Sequence, residues 1–113
     1  MRFLDRFFGV KGEVSSDLLG CWQLVRSEED PFEPAEADFR SDGRLHYAVL
    51  SGERWQIMKL LYTTEGNVLV TDQPSSPGAE RTRFTFEEDG TLVLEFGGRR
   101  SWFRRGPKLA PEV

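Results

Sequence analysis

The sequence predicts an all-β protein, an eight-stranded antiparallel up-and-down barrel with a short N-terminal helix at its closed end. Three observations carry that expectation. From Gly20 onward apolar and polar residues alternate with a period of two, the spacing of half-buried strands. Turn residues punctuate the alternation regularly, at Ser41-Asp42-Gly43, Ser51-Gly52, Glu65-Gly66-Asn67, Asp89-Gly90 and Gly97-Gly98. No crossover helix interrupts the series, so consecutive strands are expected to pair antiparallel.

In chain order, Phe3, Leu4, Phe7 and Phe8 recur at i, i+1, i+4 and i+5 with Arg2, Asp5 and Arg6 on the other side, which predicts an amphipathic helix over residues 2–8. A helix this short needs something to lie on. It is expected to cover one end of the core; the alternative is a peripheral membrane or protein contact through the same four apolar residues. Gly9 and Gly12 break it, and residues 1–17 form a helix and linker in which Ser15, Ser16 or Asp17 caps a brief turn. Strands are then expected near 20–27, 36–41, 44–50, 54–63, 67–72, 80–87, 91–96 and 99–104, with an acidic, proline-bearing loop at 28–34 and a wide loop at 73–78. The barrel occupies residues 18–105, and 106–113 reads as a flexible tail.

An open meander has two bare edges, and eight strands suffice to close it around side chains or one small ligand. A two-layer sandwich, or a half-barrel pairing with a second copy, is the alternative. Alternation puts Trp22, Leu24, Phe39, Leu45, Tyr47, Val49, Val68, Val70, Phe84, Phe86, Leu92, Leu94 and Phe96 inside. Strand four is ambiguous, and the Trp55 side is favoured over Gln56, Met58, Leu60 and Tyr62. With Trp102 inside, Arg100 and Arg104 on the same strand are inside with it. Pairing of strands one and eight then sets Trp22 beside Arg104 at the helix-covered end, and Arg26 beside Arg100 at the other.

Composition narrows the function. Fifteen basic residues against 19 acidic give a net charge of −4, which offers no overall attraction for nucleic acid. The single cysteine, Cys21, excludes an internal disulfide, and the N-terminal run makes a poor signal peptide, so a cytoplasmic location is expected. There is no run of apolar residues long enough for a membrane-spanning helix. His46 is the only histidine and has no cysteine or carboxylate at ligand spacing, so no metal is expected. Phosphate-loop and serine-elbow motifs are missing, so neither a cofactor nor enzyme activity is expected.

The Gly20-Cys21-Trp22 opening of strand one, the eight-strand meander and a basic residue near the end of the last strand together resemble the lipocalins and the wider calycin superfamily, specifically the small bacterial lipocalin-like domains. The resemblance implies a barrel closed at its lower end by Gly20 and Trp22, with the arginine matching Arg104 (or Arg105) stacked on the indole, a contact of about 0.5–2 kcal/mol. It also implies binding of a small hydrophobic or amphipathic ligand. Tyr47, Trp55 and Trp102 are the expected lining, with inward Arg26 and Arg100 meeting an anionic head group unless Glu28, Glu29 or Glu95 pairs with them. The alternative is a protein-interaction or inhibitor module whose interior is filled by its own aromatics. A monomer or weak homodimer is expected.

Overall fold

The computed structural model describes residues 15–29 and 31–113. Eight strands follow one another: β1 (Gly20–Ser27), β2 (Ala35–Phe39), β3 (Arg44–Ser51), β4 (Arg54–Glu65), β5 (Val68–Gln73), β6 (Ser76–Phe86), β7 (Leu92–Phe96) and β8 (Arg99–Arg105). Each pairs antiparallel with the next, and β1 pairs with β8, so the sheet closes into a barrel and leaves no bare edge at either end of the meander. The helix expected over residues 2–8 lies outside the described residues.

Strand boundaries follow the sequence pattern closely except at β6. The wide loop expected at 73–78 is a tight hairpin in which Gln73 pairs with Ser76 across a register shift. Asp72, buried, accepts the Gly78 amide at 2.9 Å and so replaces a lost ladder bond. Pro77 is tolerated because the pairing of β6 with β7 begins only at Arg83.

The core gathers at one end. Leu18, Trp22, Ala37, Phe39, Leu45, Tyr62, Leu69, Phe84, Leu92 and Phe103 form one buried cluster, and Leu24, Tyr47, Leu60 and Leu94 pack on it from the next level up. The aromatic rings meet edge to face: Phe39 and Tyr62 at 5.2 Å, Phe84 and Phe86 at 6.0 Å. Tyr62 is fully buried because its hydroxyl has a partner, the Arg40 carbonyl at 2.7 Å.

Trp22 is the floor. Its indole N–H donates to the Leu18 carbonyl at 2.8 Å, and the Arg105 guanidinium stacks on its face 4.2 Å from the ring centre. Arg105 also donates to the carbonyls of Leu19 (2.6 Å) and Asp17 (2.8 Å), so one side chain ties the turn before β1 to the end of β8. Gly20 has φ +113°, and a Cβ there would sit 2.9 Å from Arg105 Nη1; both the backbone and the arginine need glycine at this position.

Four expectations about facing are corrected. The stacked arginine is Arg105, not Arg104, because Phe103 is the inward residue of β8 and alternation turns Arg104 outward, where it meets Asp89 at 3.6 Å. For the same reason Trp102 and Arg100 face outward. On β4 the inward side is Met58, Leu60 and Tyr62, opposite Tyr47, Leu45 and Thr71, so Trp55 faces outward with Ile57 and Lys59; the Trp55 side would have taken the Lys59 ammonium into the core. On β5 Leu69, not Val68 or Val70, joins the core.

Replacing Gly20 with alanine is expected to destabilise the fold by about 1–3 kcal/mol, the usual cost of a side chain forced into such a conformation. The measurement is the urea midpoint followed by tryptophan fluorescence. An unchanged midpoint would mean that Arg105 swings away at no cost.

Candidate functional site

Up-and-down topology gives the barrel two unlike ends. The lower one, bearing Leu18 and the β2–β3, β4–β5 and β6–β7 turns, is sealed. At the upper end, among the 28–34 loop and the β3–β4, β5–β6 and β7–β8 turns, the inward side chains stay accessible: Met58 is 41 % exposed and Phe96 53 %. Below them Leu24, Tyr47, Leu60 and Leu94 are partly buried. The upper half of the interior is therefore an accessible cup above a packed floor, with Met58 and Phe96 sharing the inner face with the polar side chains of Gln56, Gln73, Thr82 and Ser101. Burial, and then the nearby Glu29 carboxylate, hold the Tyr47 phenol above its ordinary pKa, so it stays a neutral hydroxyl.

Of the residues expected to line this mouth, only Tyr47 faces it. Arg26, Arg100 and Trp102 do come together, but on the outer wall. The register of β1 shifts between Leu24 and Arg26, and this extra residue turns Arg26 outward opposite Trp102. Trp102 has two guanidiniums against its ring, Arg26 at 4.2 Å and Arg100 at 5.4 Å from the centre, and is 7 % exposed. Such contacts contribute about 0.5–2 kcal/mol each. Glu28 holds Arg100 from the rim: its carboxylate accepts the Arg100 amide at 2.7 Å and Nη2 at 3.2 Å, and these bonds lower its pKa. Glu29 lies 3.6 Å from Arg99. Trp55 sits outside, opposite Leu50.

A third arrangement has no counterpart in the sequence expectations. Residues 106–113 contain no strand, yet they are not loose: they are fastened to the outer face of β1 and β2. Glu36, with 0 % exposure, accepts hydrogen bonds from Gln23 Nε2 (2.8 Å), the amides of Leu109 (2.6 Å) and Ala110 (3.2 Å), and Lys108 Nζ (3.2 Å). Burial pushes the Glu36 pKa up, but the four donors together outweigh it and the net shift is downward. Further along, Arg40 Nη2 grips both oxygens of Glu112 at 2.9 and 2.7 Å. The flanking Ala35 and Ala37 face into the barrel, so the local sequence around Glu36 carries no trace of the covering segment.

The reactive side chains are quiet. Burial, then Glu36 and Asp38, push the Cys21 thiol up to about 11, so it stays protonated and donates weakly to the Pro107 carbonyl at 3.8 Å. Burial, and then Arg40, lower the His46 pKa, which keeps the imidazole neutral near pH 7. Two clefts lie on the outer wall, one of about 500 Å³ beside Trp102 and one of about 680 Å³ over β3 and β4. No family model, curated protein or solved structure matches the chain.

The Glu36 latch should depend on pH with a definite sign. Its folded pKa lies below the unfolded value of about 4.3, so its stabilising contribution is complete above that value and is lost as pH falls through the folded pKa. Amide exchange corrected for intrinsic rates should show Leu109 and Ala110 protected at pH 6 and losing protection progressively as the pH is lowered below the unfolded carboxylate value. Equal protection throughout would show that Glu36 is not the anchor.

Proposed function

We propose that this protein is a lipocalin-like binding barrel that takes a small hydrophobic or amphipathic ligand into the upper half of its interior. The observation that carries the proposal is the contrast between the two halves: inward Met58 and Phe96 are open to solvent above a floor that is sealed. Burying such side chains contributes roughly 25 cal/mol per Å² of apolar area, and a rigid floor means that little ordering opposes it. The lipocalin-like assignment is supported by Gly20-Cys21-Trp22 with a guanidinium on its indole. A polar head group would meet Arg99, which pairs with Phe96 at the tip of β7–β8 and, among the described residues, is held by exposed Glu29. Arg26 and Arg100 have no part in this reading, since both point away from the cup.

A second reading, an interaction module acting through the outer wall, is favoured by Trp102 with its two arginines, because tryptophan and arginine are the side chains that anchor protein interfaces.

Titration with an uncharged probe, dodecan-1-ol, followed through Met58 methyl and Phe96 ring resonances, separates the two. Saturable shifts are expected, with Met58→Glu weakening binding about tenfold or more, as a charge placed against an apolar ligand does, and Arg26→Ala leaving it unchanged. No saturable shift in the wild type, or loss on Arg26→Ala alone, would refute the cup.

A further inference from the structure

A cleft of about 680 Å³ lies outside the barrel and differs from the cup in chemistry. Its floor is apolar, Ile57 and Leu61 on the outward side of β4. Around them stand Arg40, Arg44, His46 and Lys59, while no aspartate or glutamate lines it. His46 and Lys59 face each other across β3 and β4, and Arg44 sits opposite Leu61, so the strand register alone brings two cations, an imidazole and two aliphatic side chains onto one patch. Arg44 reaches only Asp42, at 3.8 Å, and Lys59 forms no ion pair among the described residues.

One cation of the group already holds a carboxylate. Arg40 Nη2 contacts both oxygens of Glu112, while its Nε is held by Asp38 at 3.2 Å, so the outer nitrogen of the guanidinium is the one that takes the carboxylate. Glu112 reaches it from the segment anchored two residues earlier at Ala110, so it acts as a tethered occupant. We propose that this cleft is a binding site for a small organic carboxylate with an apolar body. The head group takes the place of the Glu112 carboxylate on Arg40, with Lys59 and Arg44 beside it, and the body lies on Ile57 and Leu61. His46, neutral, adds a ring N–H without a further charge. This site is independent of the cup and does not require it.

The tether sets the expected affinities. A carboxylate held on a short segment competes at an effective concentration in the mM range, so its removal should strengthen binding of a free acid. The test follows the His46 ring and the amides of residues 44–46 and 57–61 during titration with octanoate, octan-1-ol and acetate. Octanoate should shift them saturably, with the alcohol and the short acid at least about tenfold weaker, because each lacks one half of the recognition. Lys59→Glu should weaken octanoate about tenfold or more, and Glu112→Gln should tighten it several-fold. The proposal is overturned if octanoate leaves these resonances unmoved, if it moves only those of Met58 and Phe96, or if neither variant changes its affinity.

Discussion

Everything else in this barrel depends on the stacking of Arg105 on Trp22. The buried indole needs an acceptor for its N–H, and Arg105, which stays exposed, needs more than a ring to be held in place. Both needs are met by the turn at residues 15–19, whose carbonyls take one hydrogen bond from Trp22 and two from Arg105. The chain's first described turn, first strand and last strand are thereby joined at one point, where the sheet must close on itself. Closure by ladder bonds between β1 and β8 would leave this end open to water; the arginine plugs it and fixes the register at Trp22 opposite Arg105.

That register decides the faces of β8, and with them the outer wall. With Arg105 directed at Trp22, Phe103 must enter the core beside Leu92 and Leu24, and Trp102 must leave it. An outward tryptophan would be costly if bare. The bulge in β1 brings Arg26 over it and Arg100 adds a second guanidinium, so the ring is shielded by two side chains that keep their charges in water. Phe103 has no polar atom to satisfy, and so is the better core residue of the two.

The eight strands, their order and the Gly-x-Trp floor were legible in the sequence because each rests on local signals: period-two alternation, glycine turns, and a residue pair at a strand start. The inner face of β4 was not. Trp55, Ile57 and Leu61 are as apolar as Met58, Leu60 and Tyr62, so the alternation of that strand carries two equal stripes, and only the partners across β3 choose between them. Arg26 failed for a different reason: a single bulged residue inverts every side chain after it and leaves no mark in composition. The choice between Arg104 and Arg105 turned on which of two adjacent aromatic residues lies inside. The Glu36 latch was hidden because its donors, Gln23, Lys108, Leu109 and Ala110, are far from it along the chain.

Glu36 also shows why the C-terminal segment bears on function and not only on stability. Placing a carboxylate at zero exposure costs several kcal/mol of desolvation, which its partners only offset, and an apolar contact of the same size would hold a covering segment at least as well. What an apolar contact would not provide is direction. Three donors from consecutive residues, Lys108, Leu109 and Ala110, converging on one carboxylate fix the path of the segment along β2, and a path fixed at Ala110 delivers Glu112 to Arg40, two residues on. Arg40 in turn is held by Asp38 at 3.2 Å on the same strand as Glu36. A single charged network thus runs from the buried anchor to the edge of the basic cleft. The energetic cost of Glu36 is understandable as the means by which a carboxylate is kept poised at that edge.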